Sequence, residues 1–330
     1  MIILSIIAIV FALAIDFALG EPKNKLHPTV WIGTFIGKLV PLAHSSNPKV
    51  ERLGGLVLVV SITILVATLL FVFDLGVKHL ENFNYSSFSK ILVSIFVIIT
   101  VGFLLKTTFA IKGMEQHANK IMEALSKSDL EDARAKLSLI VKRNTKNLDR
   151  QHIISATIES ISENTVDGIV GPLFYFAFFG LVGSFVYRTI NTIDSMIGYK
   201  TDLFINLGWF GANCDKVLNF VPSRLTSLIM ILASLSMRGN WRQSLIVMKR
   251  DGQKTESPNA GYPMATMAGA LGVRFEKLGH YSLGDEISEI SEQHVKTAIS
   301  IMKITTVLFV ALFTIPVMLI LSYIGWWSFV

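Results

Sequence analysis

The chain has 330 residues, of which 52% are hydrophobic and only 16% are charged, and its mean hydropathy is +0.55. Soluble domains usually carry about 25% charged residues, so this composition excludes a disordered chain and argues against an ordinary soluble enzyme. The net charge of +6 is spread over the polar segments, which suits loops beside an anionic leaflet better than nucleic-acid binding. The single cysteine, Cys214, excludes an internal disulfide and a cysteine-based zinc or iron–sulfur centre.

Long apolar runs predict membrane-spanning helices, since a bilayer core takes roughly 20 apolar residues as a helix. In chain order, the predicted spans lie near residues 2–19, 55–73, 91–111, 168–187, 223–237 and 304–327. The first lacks the basic start of a signal peptide, so we expect it to be retained. The third reaches residue 111 if Lys106 extends its side chain to the interface. We therefore expect an all-α, polytopic helical integral membrane protein, with one domain over residues 1–330.

Two large polar regions, residues 106–167 and 238–303, separate these apolar runs. The positive-inside rule places the basic loops, including the first polar region, in the cytoplasm. A simple count then puts residues 188–222 outside. Two alternatives change that result: the glycine- and proline-broken segment after Asp167 is re-entrant, or residues 203–210 form a half-helix. Either would need surrounding protein or water at membrane depth.

The first polar cluster combines Asp16, near the inner end of the first span, with Glu21 and His27. An ionisable residue inside a span is costly, so a functional role is the default for Asp16, although extension to the interface would explain it equally well. His27 alone is more often structural than catalytic. Close to Asp16 and Glu21, it becomes a candidate for binding phosphate or metal.

The second cluster holds Glu159, Glu163 and Asp167 at i, i+4 and i+8, so a helix places three carboxylates on one stripe. Like charges at this spacing destabilise a helix, which a bound cation would offset. Magnesium takes carboxylates together with substrate phosphates. A solvated acidic face is the alternative, but the interleaved isoleucines leave little room for a wholly exposed helix. We therefore favour a functional stripe.

Two further clusters combine polar groups with apolar or glycine-rich surroundings, where they are expected to bind a ligand or one another. The third cluster contains Asn191, Asp194, Ser195, Tyr199 and Lys200, and Asp215 and Arg224 continue it. The fourth contains Arg250, Asp251, Ser257 and Asn259, near glycines that allow a backbone to approach a ligand. The chain has no P-loop, GxGxxG, HExxH or GxSxG motif, so these clusters do not specify a reaction.

Taken together, the clusters resemble the cobalamin-biosynthesis family CobD/CbiB, the adenosylcobinamide-phosphate synthases. The segments that carry the resemblance are Asp16–Gly33, Glu159–Gly168, Asn191–Lys200, Pro222–Leu225, Ser257–Asn259 and Ala268–Gly272. They follow one order along nearly the whole chain. Asn144 departs from the family, where an aspartate is usual, so we expect no essential carboxylate there. Glu21 stands where aspartate is common and keeps the carboxylate.

The resemblance implies a multi-pass enzyme of the cell membrane. Such a ligase joins aminopropanol, or its O-phosphate, to the free propionate carboxyl of adenosylcobyric acid, with ATP and Mg²⁺. We expect the active site to face the cytoplasm, where ATP is present. The implied partners are these substrates, membrane lipid and other corrinoid-pathway enzymes, and not nucleic acid. Without the resemblance, a secondary transporter is the best rival and a corrinoid scaffold the second.

The resemblance also suggests roles for the clustered residues. The predicted catalytic residues are Asp16, His27, Glu159, Glu163, Asp194 and Lys200, with His27 or Asp194 accepting the proton. The predicted magnesium ligands are Glu159, Glu163 and Asp167. The predicted substrate-binding residues are Glu21, Asn164, Asn191, Ser195, Tyr199, Asp215, Arg224, Arg250, Asp251, Ser257 and Asn259. Arg224, Arg250 and Lys200 would contact phosphates.

Overall fold

The computed structural model of the chain describes residues 2–83, 85–277 and 279–327, so the two ends of the predicted 1–330 domain lie outside it. The helices are α1 Ile2–Leu19, α2 Pro28–Ala43, α3 Pro48–Asn82, α4 Ser87–Lys106, α5 Ile111–Ser126, α6 Leu130–Leu137, α7 Arg150–Thr165, α8 Gly171–Ile197, α9 Trp209–Leu218, α10 Phe220–Ser236, α11 Trp241–Asp251, α12 Pro258–Leu271, α13 Glu292–Phe309 and α14 Ile315–Tyr323. Among the described residues, the only strands are β1 (Phe275–Lys277) and β2 (Tyr281–Leu283), which pair in antiparallel orientation. The predicted all-α class is confirmed.

Several helix starts follow from local sequence. Asn47 accepts a hydrogen bond from the backbone N–H of Lys49, and Pro48 occupies the first turn of α3, where its missing N–H costs nothing. Asp149 caps α7 in the same way, through the backbone N–H of His152. These caps separate the long apolar helices from the polar segments before them.

Among the described residues, five helical segments are long and apolar enough to cross a membrane, and a sixth appears if α9 and α10 count as one. These segments are Ile2–Leu19, Pro48–Asn82, Ser87–Lys106, Arg150–Ile197 and Glu292–Tyr323. The third predicted span is too long, because α4 ends at Lys106 and the hydroxyls of Thr107 and Thr108 bond the carbonyls of its last turn. The predicted half-helix over residues 203–210 is wrong: turns fill the segment until α9 begins at Trp209.

The chain divides into two compact units. The first unit consists of Met1–Ala110, Gly171–Leu218 and Leu312–Val330. Its helices α2, α3 and α8 share a buried apolar core that contains Ile36, Leu58, Val59, Ile62, Ile193, Ile197 and Leu207. The second unit consists of Ile111–Val170 and Asn219–Ala311. Phe275 and Leu283 pair across its strand hairpin and are fully buried, so the hairpin is anchored in this unit.

Helix α8 folds back on itself within the first unit. Phe179 and Gly180 leave the helical conformation, and Gly180 has φ +58° and ψ −148°, a region that is essentially limited to glycine. A methyl group on Gly171 would lie 2.2 Å from Cζ of Tyr187, although sixteen positions along a straight helix span about 24 Å. The chain therefore forms a helical hairpin with its turn at Gly180.

The turn of the hairpin lies inside the predicted span at residues 168–187 and divides it into two arms. The uncharged residues 168–178 before the turn would cover about 16 Å as a helix, roughly half of the 30 Å hydrocarbon core. The chain then returns along Leu181–Ile197. Residues 168–187 therefore do not form one straight transmembrane helix, and the re-entrant alternative stays a prediction.

Candidate functional site

A charged cluster in the first unit joins three predicted site residues to Lys106, and it reaches solvent at Glu21, whose side chain is 31% exposed. The Lys106 ammonium nitrogen lies 3.0 Å from Oδ1 of Asp16 and 2.9 Å from Oε2 of Glu21. The side chains of Lys106 and Asp16 are both 0% exposed. Neither side chain therefore reaches solvent. This corrects the prediction that Lys106 extends its side chain to the interface, and it excludes the same explanation for Asp16. Burial of these charges is tolerated because opposite charges compensate them.

His27 belongs to the same cluster through Glu21. Its Nε2 lies 2.8 Å from Oε2 of Glu21, while its buried Nδ1 has no hydrogen-bond partner among the described residues. Burial raises the pKa of the Glu21 carboxyl, but the hydrogen bonds and charges of His27 and Lys106 outweigh it and leave that pKa below its ordinary value. We therefore assign Nε2–H as the donor to an ionised Glu21, which leaves Nδ1 as a proton acceptor.

The third predicted cluster is partly assembled at the end of α8. Asn191 accepts a hydrogen bond from Arg188 and donates one to Asp215, each at 3.2 Å. Asp194 lies against the chain that leaves the helix, since a methyl group on Gly198 would be 2.0 Å from its Oδ1. Of the other members, Ser195 and Lys200 are exposed, and the Tyr199 ring contacts Phe204.

Glu159 is the centre of a buried hydrogen-bonded cluster in the second unit. Its Oε1 accepts bonds from Arg143 Nη2 and Ser155 Oγ, each at 2.9 Å, and its Oε2 accepts the Tyr281 hydroxyl at 2.6 Å. Burial and the Glu159 carboxylate raise the pKa of Tyr281 well above its ordinary value, so the phenol stays a donor. Both Glu159 oxygens therefore have hydrogen-bond partners, and the role of this residue as a magnesium ligand stays a prediction.

The other two members of the acidic stripe have different surroundings. Glu163 is exposed, and Asp167 lies in a π-helical turn, Val166–Val170, that takes it out of the regular i, i+4, i+8 register. Asn164 donates to the backbone oxygen of Ser160 and lies against Gly168. No three His, Cys, Asp or Glu side chains among the described residues are grouped to hold a metal ion. Because nucleotide-bound Mg²⁺ uses one or two carboxylates, Glu163 and Asp167 fit that donor type, and their role stays a prediction.

Arg224 and Arg250, both predicted phosphate ligands, have contrasting partners. Arg224 donates to Oδ1 of Asn259 at 3.0 Å, and its Cζ lies 3.7 Å from the Phe220 ring centroid and 4.7 Å from that of Tyr262. Among the described residues, it makes no ion pair with a carboxylate, so its charge is not neutralised by one. Arg250 instead bonds both Asp251 and Asp285. This arrangement favours Arg224 over Arg250 as an anion-binding group.

Asp251 links α11 to the strand hairpin. Its Oδ2 accepts the backbone N–H of Gly284 at 2.9 Å, and Arg250 and Lys254 pair with the same carboxylate. Burial raises the pKa of Asp251, but the hydrogen bonds from these donors outweigh it and hold the pKa well below its ordinary value. Ser257, predicted to bind substrate, is exposed. Asp251 therefore has a structural role that the sequence did not predict.

Several partners in these networks were absent from the predicted site, among them Lys106, Arg143, Tyr281 and Asp285. Lys106 carried a usable signal, because a lysine that ends an apolar run must either reach water or find a counter-charge. Arg143 precedes the family departure at Asn144, whereas Tyr281 had no signal of its own.

A polar cavity of about 70 Å³ in the second unit adjoins the Glu159 cluster at Ser155.

The family model described as "CobD/Cbib protein" matches residues 9–322 of the chain. The chain is 35% identical to the "Probable cobalamin biosynthesis protein CobD" of Methanothermobacter thermautotrophicus, over 91% of this chain and 94% of the relative. It is 35% identical to the protein of that name from Methanocaldococcus jannaschii, over 94% and 97% of the two chains. It is 37% identical to the "Cobalamin biosynthesis protein CobD" of Dehalococcoides mccartyi, over 87% and 89%. No solved structure matches.

Proposed function

Because the chain belongs to the CobD/CbiB family and so has a role in cobalamin biosynthesis, we propose that it is the amide-forming ligase of corrinoid assembly. Its substrates are adenosylcobyric acid and aminopropanol or aminopropanol O-phosphate, and its product is adenosylcobinamide or its phosphate. The protein acts as a multi-pass protein of the cell membrane with its active site toward the cytoplasm, where ATP is available.

The reaction requires activation of a carboxylate before an amine can attack it. Transfer of the γ-phosphoryl group of ATP to the propionate gives an acyl phosphate and ADP. The ammonium nitrogen of aminopropanol loses one proton to a base and forms the C–N bond. Inorganic phosphate then leaves the acyl carbon and carries away the second proton of the nitrogen. Phosphoryl transfer depends on positioning and charge neutralisation, and the second step needs a base.

The single observation that carries this proposal is the state of His27. Glu21 holds its Nε2, and its buried Nδ1 has no partner among the described residues, which suits a base that receives the proton of the incoming ammonium. The 2.8 Å distance between His27 and Glu21 does not by itself identify the residue that accepts the proton, because Asp194 was the other predicted base. His27 is favoured because its carboxylate partner fixes the tautomer.

Nucleotide binding falls to the charged groups whose surroundings suit it. Magnesium, when bound with ATP, would neutralise phosphate charge, and Glu163 and Asp167 would hold it. Arg224 would bind a phosphate, because the aromatic rings and Asn259 orient its guanidinium without neutralising it. Lys200, which is exposed, would do the same.

The proposal is tested with purified protein in lipid nanodiscs, adenosylcobyric acid, aminopropanol with or without its phosphate, and Mg–ATP. We expect mass spectrometry to detect the amide product and ADP. Alanine at Glu163 or at Asp194 should abolish the product while thermal unfolding stays unchanged. Full activity of both variants would remove those two residues from the active site.

A transporter is the rival that a specific observation favours, since broken helices such as α8 occur in transporters. The same protein in proteoliposomes distinguishes the two functions. Uptake of corrinoid without amide formation would show that the protein is a transporter and not a ligase. Absence of both uptake and amide formation would favour a scaffold.

A further inference from the structure

The charged cluster of Asp16, Glu21, His27 and Lys106 contains a lysine that has no role in the proposed reaction. Lys106 ends α4, and its ammonium group lies within 3.0 Å of carboxylate oxygens of both Asp16 and Glu21. A lysine at the end of an apolar helix ordinarily extends its head to water. Burial of this ammonium group is costly and tolerable only with its two counter-charges, so its position is closely specified.

One oxygen atom links Lys106 to the proposed base. Oε2 of Glu21 lies 2.9 Å from the Lys106 nitrogen and 2.8 Å from Nε2 of His27. Asp16, on α1, pairs with the same lysine. Lys106 therefore determines where the Glu21 carboxylate lies, and that carboxylate determines which ring nitrogen of His27 carries hydrogen.

Lys106 also separates two like charges. Its ammonium group contacts both the Asp16 and the Glu21 carboxylates, and the side chains of Lys106 and Asp16 are fully buried. Without this ammonium group, the two carboxylates would lose a counter-charge that they share, and their repulsion would move Glu21 away from His27.

We propose that Lys106 is a positioning residue for the amide-forming step and acts through Glu21 on His27. This inference rests on the proposed function. In that step, the aminopropanol ammonium gives one proton to Nδ1 of His27, and the nitrogen forms a bond to the acyl carbon. Phosphate leaves with the electron pair of the C–O bond and takes the second proton from the nitrogen. Lys106 touches none of the reacting atoms.

A nucleophile that needs no base separates positioning from a merely structural role. Aminopropanol is an ammonium ion at neutral pH, whereas hydroxylamine is uncharged and attacks acyl phosphates directly to give a hydroxamate. We expect Lys106→Met to slow amide formation by about 10²- to 10³-fold, the usual contribution of a general base, and to change the hydroxamate rate by less than about 10-fold. His27→Ala should show the same split, and the double variant His27→Ala/Lys106→Met should be no slower than His27→Ala.

Two further variants control for folding. Lys78→Met breaks the 2.6 Å pair with Asp74, a lysine–carboxylate pair in the same unit, and should leave the ratio of the two rates unchanged. Asp16→Asn/Lys106→Met removes one charge of each sign, so it offers a folded variant if the single change destabilises the protein.

Each outcome has a defined meaning. A selective loss of amide formation supports the positioning role. Equal losses with both nucleophiles, additive effects of His27→Ala and Lys106→Met, or loss of hydroxamate formation together with thermal stability in both Lys106 variants would overturn it. If wild-type protein forms neither amide nor hydroxamate, the proposed function itself fails, and this inference fails with it.

Discussion

Tyr187 stacks on Tyr175, with ring centroids 5.3 Å apart and planes inclined by 18°, although twelve positions separate them along α8. Two residues that far apart on a straight helix would be about 18 Å apart. The contact therefore exists because the chain reverses at Gly180. The missing side chain of Gly171 lets the Tyr187 ring lie against the backbone of the first arm.

Gly171→Ala is expected to destabilise the first unit. The added methyl group would lie 2.2 Å from Cζ of Tyr187, a residue that is almost fully buried, so the hairpin arms must separate. Overpacking of this kind costs about 1–3 kcal/mol, and thermal unfolding in detergent should show a lower Tm. Gly76→Ala is the matched control, because no atom lies within 4 Å of its added methyl group and alanine favours the helix. Equal Tm values for the two variants would contradict the hairpin packing.

Composition and order of motifs were sufficient to predict the helical membrane fold and the family, because apolar run length and clustered polar residues are local properties of the sequence. The partners of the site residues were not predictable in the same way. Glu159 meets Tyr281 across 122 positions, and nothing near Tyr281 in sequence signals that contact. Lys106 was misplaced because an interfacial lysine and a buried, paired lysine have the same sequence pattern until Asp16 is known to lie beside it.

Ser195 tests the re-entrant arrangement. In a Cys214→Ser background, which removes the native thiol, we expect Ser195→Cys to react with a membrane-impermeant maleimide from the cytoplasmic side, because Ser195 is exposed near the end of the returning arm. Phe179→Cys, at the turn of the hairpin, should resist labelling from both sides, because the re-entrant arrangement predicts that the turn lies inside the bilayer. Labelling of Ser195→Cys from outside alone would refute a cytoplasmic site and restore the simple alternation of spans.

Asp251→Asn should change the acid stability of the second unit. The pKa of Asp251 is lowered in the folded protein, so its ionised form contributes stability above the unfolded-state pKa of about 3.9. That contribution is lost as pH falls below about 4 toward the folded-state pKa. We expect wild-type Tm to fall more steeply than that of Asp251→Asn between pH 5 and pH 3.

Asp285→Asn is the control for that measurement. Asp285 pairs with the same Arg250, but its side chain is 40% exposed against 1% for Asp251. Exposed ion pairs contribute little to stability, so the Tm of Asp285→Asn at neutral pH should stay closer to wild type. A larger loss for Asp285→Asn than for Asp251→Asn would show that the buried carboxylate does not anchor α11 to the strand hairpin.

Arg224 and Arg250 should have separable effects on the ligase reaction. Arg224→Met removes a guanidinium that no described carboxylate neutralises, so we expect kcat/KM for ATP to fall about 10- to 100-fold. Arg250→Met leaves Asp251 without its arginine partner, so it should lower the Tm and change the KM for ATP by less than about threefold. Arg224→Lys should recover part of the activity because it keeps the positive charge. The recovery should be incomplete because lysine lacks the fixed fork of hydrogen-bond donors of arginine. The opposite pattern, with a stable Arg250→Met protein that cannot use ATP, would transfer phosphate binding from Arg224 to Arg250.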